Sequence, residues 1–156
     1  MKRKIYSLFF LALSVVTLLI ARQTQAALGE SANSIESEQN ALAAVKHATK
    51  IREGYSVHEF TVDGTTIREY VSPTGTVFGI AWNGLAHPDL TLLLGSYTGE
   101  YKTALRQAPR KPGLRRHEVL KTDRVVVEKW GHMRNLQGRA YAPALLPPGV
   151  SSDEIR

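Results

Sequence analysis

The chain carries five imidazoles, His47, His58, His87, His117 and His132, and their spacing excludes more chemistry than it supports. None stands at the i, i+4 distance that puts two metal ligands on one helix face, or at the i, i+2 distance that does so on a strand. There is no cysteine, which removes disulfides, thiolate metal sites and lipid attachment through a lipobox. His87 and Asp89 form the one local nitrogen and carboxylate pair, but Pro88 between them marks the start of a helix. His58 and Glu59 are adjacent on a strand and point to opposite faces. No Gly-x-Ser-x-Gly elbow and no phosphate-cradling glycine string occurs. The sequence therefore assigns no catalytic residue, no cofactor and no metal.

The remaining candidates are surface or binding residues: Glu69, Trp82, His87 and four cations of a basic loop. Glu69 alternates with Ile67 and Val71, placing a carboxylate on an otherwise apolar strand face, where burial without a partner is costly. It is expected to pair with a cation such as Arg124 or to lie at an exposed strand end. Trp82 and Trp130 either line a groove or belong to the core. Arg110, Lys111, Arg115 and Arg116 fall in RQAPRKPGLRR, a basic loop able to attract an anionic polymer. No aromatic residue interleaves these charges, so a solvated linker is the competing reading, and nucleic acid is not the expected partner because the chain without its leader is near neutral.

Lys2, Arg3 and Lys4 precede an apolar block from Ile5 to Ala21, and Thr24-Gln25-Ala26 supplies small residues where a signal peptidase would cut. Residues 1–26 read as a cleaved secretory signal, with an uncleaved anchor as the competing reading. No membrane span is expected after cleavage. The formal net charge of +6 includes the four leader cations Lys2, Arg3, Lys4 and Arg22, so the exported chain carries about +2. The high whole-chain pI is mostly a property of the leader.

A flexible segment, 27–33, is expected to lead into a helix over 35–49, capped by Ser34 and striped with alanine. Strands follow over 55–62 and 65–71, joined by Asp63-Gly64, a pair that favours the positive φ angles of a tight hairpin. Ser72-Pro73-Thr74-Gly75 turns the chain into a third strand over 76–82. Its alternation sets Phe78, Ile80 and Trp82 on one face and Val77, Gly79 and Ala81 on the other. Gly79 suggests a bulge or a close backbone approach, with the alanine-rich helix as the candidate. Pro88-Asp89 opens a second helix whose stripe is Leu90, Leu93, Leu94, Tyr97, Tyr101, Ala104 and Leu105. Gly95 and Gly99 predict a kink or a restart near Ser96. Strands are expected over 124–132 and 139–146, the latter at a sheet edge because of Pro143, with 134–138 as a turn and 147–156 as a flexible tail.

The run REYVSPTGTVFGIAWNGLAHPDLTLLLG, behind an Ala27-Leu28-Gly29 start, resembles an uncharacterised bacterial family, domain of unknown function 2844. The resemblance implies a small exported protein and carries over no activity, cofactor or catalytic residue. The combined expectation is an α+β domain over 27–146, a three-stranded meander plus two further strands, with two helices packed on the sheet. Its expected role is non-catalytic binding of an envelope protein or anionic envelope polymer through the open sheet face. The alternative is a small envelope hydrolase. Oligomeric state is not legible.

Overall fold

The computed structural model describes residues 27–31, 45–108 and 117–156, with side chains from Ala48 onward in the second range. The expected turns form first. Asp63 and Gly64 adopt φ of 47° and 75°, joining β2 (Tyr55–Val62) to β3 (Thr65–Val71). At the next reversal Gly75 N–H donates to the Ser72 carbonyl over 2.9 Å, and the chain enters β4 (Val77–Gly84).

The region read as the end of the first helix behaves differently. Residues 32–44 lie outside the described residues, but Val45–Arg52 is a strand, β1, paired antiparallel with β2. Helix propensities differ by only a few tenths of a kcal/mol among alanine, lysine and threonine. A full ladder to β2 outweighs that preference.

After β4 the chain forms α1 (Leu90–Leu93), a 3-10 turn over Gly95–Tyr97, and α2 (Thr98–Gln107). Asp89 caps α1 by accepting from the Thr91 amide over 2.8 Å. The interruption falls at Gly95, where φ is 48° and an added Cβ would stand 2.4 Å from the Ala27 Cβ. Leu90, Leu93, Leu94, Tyr97 and Tyr101 are buried, whereas Leu105 is exposed. The last three strands are β5 (His117–Lys121), β6 (Val126–His132) and β7 (Asn135–Tyr141).

Among the described residues these strands make one antiparallel sheet in the order β1-β2-β3-β4-β7-β6-β5. The protein is thus dominated by its sheet, with one main helix and short 3-10 turns, rather than by a meander under two equal helices. β5 escaped the sequence reading because only Leu120 in it is buried. β7 was expected at an edge but lies between β4 and β6. It ends at Tyr141, before Pro143, so the proline never interrupts the ladder. The turn expected over 134–138 is confined to Met133 and Arg134, with Arg134 at φ 66°.

Cross-strand registers define the two faces. Thr49, His58, Glu69, Ile80, Ala140, Val127 and Leu120 form one row, and Phe60, Ile67, Trp82 and Gly138 belong to the next row on the same face. α1 and α2 cover this face through Leu90, Leu93, Leu94, Tyr97 and Tyr101. Phe78 does not share it. The register slips between Tyr70 and Val71 opposite Val77 and Gly79, and a bulge turns consecutive residues out of simple alternation. Phe78 therefore packs with Val57, Tyr70 and Ala81 on the opposite face, and Val77 joins Ile80.

In both chain segments expected to be loose, the described residues are packed. Ala27 and Leu28 are fully buried. Leu28 N–H donates to Leu93, Gly29 N–H to Val77, and Val77 N–H to Glu30. The final ten residues, expected as a tail, cross the second face. Ile155 is fully buried and fills the notch at Gly79, where an added Cβ would lie 2.6 Å from its Cδ1. Tyr70 Oη donates to the Arg156 carbonyl over 2.7 Å and accepts from the Arg156 amide over 3.0 Å. Ser151 and Glu154 form a capping box that holds the last 3-10 turn. The close approach inferred at Gly79 is real, but the C-terminal segment makes it.

Candidate functional site

Trp82 reaches its position because β7 offers Gly138 opposite it. An added Cβ at Gly138 would stand 2.2 Å from Trp82 Cζ2 and 2.6 Å from the Glu128 carbonyl. The indole is 2 % exposed, so its N–H needs an internal acceptor. It donates to His87 Nδ1 over 2.9 Å, with the two rings nearly perpendicular at 87°. The sequence singled out both residues; the structure pairs them.

That bond fixes the chemistry of His87. A neutral imidazole that accepts at Nδ1 carries its proton on Nε2, and is a donor there. Although the residue as a whole is exposed, desolvation of its packed edge, followed by the ammonium of Lys129, holds the His87 pKa below its ordinary value, with Glu118 opposing. Protonation at Nδ1 would also remove the acceptor that Trp82 uses, an effect of the same sign. His87 is thus a neutral donor at physiological pH.

His87 lines a cavity of about 200 Å³ between the β2–β3 turn, β3 and the start of α1. Val62, Ile67, Leu92 and Leu93 form its apolar part, and Asp63, Asp89 and His87 its polar part. Thr65 closes one side by donating its hydroxyl to the Ala86 carbonyl over 3.1 Å. The close packing of the hairpin against the end of β4 requires Gly84, where an added Cβ would come within 2.5 Å of Thr65 Cα. Asp63 and Asp89 were read as turn and cap residues only. Both line the same cavity because the hairpin and the helix start meet at the same end of the sheet, which local sequence does not encode.

Because its folded pKa is depressed, His87 contributes stability that is full above pH 6.5 and lost as pH falls through the folded value. Unfolding midpoints measured between pH 7.5 and 5 are expected to fall in wild type by more than in His87→Gln, which has no imidazole to titrate.

The other expected residues scatter. Glu69 is fully buried and is not free, so it does not lie at an exposed strand end. Arg124 is stacked 4.7 Å over the Tyr97 ring. Trp130 is half-buried and donates to Gln137 Oε1 over 3.2 Å. Arg110, Lys111, Arg115 and Arg116 lie outside the described residues. With Phe78, Ile80 and Trp82 all buried, the open sheet face expected for binding is not open at β4.

Two further arrangements went unseen in the sequence. A basin of about 490 Å³ lies over the β1 end of the second face, with Arg52, Arg68, Tyr55, Tyr70, Glu59 and Glu154 among its lining. It is larger than the His87 cavity, but its charges are largely answered within it: Arg68 pairs with Glu59 at 2.7 Å, and Tyr55 donates to Glu154 over 2.9 Å. On the first face, Ser56 Oγ lies 3.3 Å from His58 Nε2, and Thr49 Oγ1 lies 3.2 Å from Nδ1. Strand alternation places Ser56 and His58 together, a signal available from sequence. A hydrolytic triad, however, needs a carboxylate at Nδ1, where Thr49 stands. Among the described residues no group of three His, Asp or Glu could hold a metal ion, and no helix is long and apolar enough to cross a membrane.

The fold and site define a sheet-dominated antiparallel protein with a small pocket at one end, built from a hairpin turn and a helix start. The chain belongs to the family described as Protein of unknown function (DUF2844), which matches residues 24–155. No curated protein and no solved structure matches the chain.

Proposed function

We propose that the protein is exported and acts as a non-catalytic binding protein of the cell envelope, taking a small ligand in the His87 cavity. The observation that carries this reading is the Trp82–His87 bond, which holds a neutral donor beside a preformed apolar cavity. A few fixed polar groups around an apolar recess are the usual composition of a ligand site. Drug-sized ligands occupy pockets of about 300–1,000 Å³, so a cavity of about 200 Å³ suits a small organic group. The Lys2-Arg3-Lys4 start, the apolar block and Thr24-Gln25-Ala26 support export, and the family match begins at residue 24, past the apolar block.

The test is a fragment titration of the isotopically labelled protein followed by two-dimensional NMR. Shifts gathered at Val62, Ile67, Leu93 and His87 are the expected result. Shifts confined to the Arg52 basin, or none at millimolar fragment, contradict the reading.

The Ser56–His58 contact favours a second reading, a small envelope hydrolase. Hydrolysis of activated esters that is lost in both Ser56→Ala and His58→Gln would replace the binding reading with this one. Turnover unchanged in these variants would dispose of it.

A further inference from the structure

Asp63 and Asp89 line the His87 cavity, and among the described residues no lysine or arginine does. Each carboxylate is placed by backbone geometry rather than by a salt bridge. Asp63 sits at φ 47° in the hairpin turn, and Asp89 spends one oxygen, Oδ1, on the Thr91 amide. Both are exposed, so they present negative charge at the rim while Val62, Ile67, Leu92 and Leu93 supply the apolar recess. His87 adds no opposing charge, since its Nδ1 accepts from Trp82. Lys129, the cation whose field reaches His87, is itself paired with Glu118.

From these placements, and resting on the binding reading above, we propose that the cavity selects a small primary alkylammonium, its aliphatic stem in the recess and its ammonium between Asp63 and Asp89. An ammonium has three donors and no acceptor, matching two acceptor carboxylates. A carboxylate or phosphate ligand would meet two like charges. A free amine fits better than a lysine of a partner chain. Among the described residues both sheet edges, β1 and β5, lie outside the cavity lining, so no described edge strand stands at the cavity to pair with a peptide backbone.

The experiment titrates n-butylammonium, n-butanol, n-butyrate and Nα-acetyl-lysine methylamide into the full protein at fixed ionic strength, reading the Trp82 indole N–H and the His87 ring by NMR. Wild type is compared with Asp63→Asn/Asp89→Asn. Asparagine tolerates positive φ and still caps a helix, so the double variant keeps the fold and loses only charge. Butylammonium is expected to bind tightest in wild type. Exposed charge pairs are weak, so each aspartate is expected to account for about two- to five-fold of that preference. The double variant is expected to bind butylammonium and butanol equally.

Butanol or butyrate binding as tightly as butylammonium, or a preference that survives in the double variant, overturns the ammonium assignment and leaves the binding reading standing. Tighter binding of the lysine derivative overturns the assignment to a free amine. Binding of no probe overturns both.

Discussion

Replacing Ile155 with alanine is expected to lower the unfolding free energy by about 2–5 kcal/mol, the range for truncating a buried isoleucine or leucine. The residue is fully buried although it sits in the polar run Ser151 to Arg156. Its side chain occupies the notch that Gly79 leaves in β4, beside Val57, Tyr70, Phe78 and Ala81. Truncation empties a space that flanking strands cannot close, since each is held in its ladder on both sides. The same pair gives a coupling test. Gly79→Ala forces a Cβ to within 2.6 Å of Ile155 Cδ1, a clash expected to be milder when Ile155 is already alanine. A double-mutant cycle in urea measures this directly. Strict additivity, or an Ile155→Ala loss below about 0.5 kcal/mol, the usual bound for surface changes, would mean that the terminal segment is not part of the core.

Gly138→Ala is expected to act at least as strongly, at or beyond the upper end of the about 1–3 kcal/mol typical of overpacking. The new methyl would meet the Trp82 ring at 2.2 Å and the Glu128 carbonyl at 2.6 Å. The first is a fully packed indole and the second is backbone, so neither can yield cheaply. Relief requires the indole to tilt, and tilting breaks its bond to His87. The substitution therefore has a second readout besides stability. The His87 pKa is expected to move back toward its ordinary value, because a tilted indole loosens the packing that desolvates the imidazole and withdraws the N–H that Nδ1 accepts. If protein too unstable to study results, Trp82→Phe tests the same link, removing the N–H while retaining an aromatic ring. An unchanged His87 titration in both variants would detach the imidazole from the indole.

Much of the framework was legible where local chemistry acts alone. Asp63-Gly64 needed positive φ and obtained it, Ser72-Pro73-Thr74-Gly75 reversed the chain as its turn residues implied, and Asp89 capped its helix as its position implied. The leucine stripe of α1 and α2 was visible through its break at Gly95. What failed depended on tertiary pairing. Val45–Arg52 has a composition that suits a helix, and only the ladder to β2 makes it a strand. Phe78 changed face because a bulge shifts the register by one residue, an event that alternation cannot foresee. Ile155 is a lone apolar residue in a polar terminus, so nothing in its neighbourhood announces a core contact.

The site was half legible for the same reason. Trp82 and His87 stood out as residue types without an assigned role, five positions apart across a loop. Their hydrogen bond depends on Gly138, a residue some fifty positions further along the chain. Asp63 and Asp89 each had a sufficient local explanation, and they line one cavity only once the β2–β3 hairpin and α1 meet. Glu69 drew notice for a charge on an apolar face, but it lies buried in the sheet, away from the cavity lining.

Trp82 holds His87 as a neutral Nε2–H donor beside the cavity. A long-range proton–nitrogen NMR spectrum of the histidine rings, recorded from pH 8 to pH 4, tests it most directly. The expected result is the Nε2–H tautomer for His87, a titration midpoint below 6.5, and a Trp82 indole N–H signal that shifts with the same midpoint. An Nδ1–H tautomer, or a midpoint at or above 6.5, would contradict it.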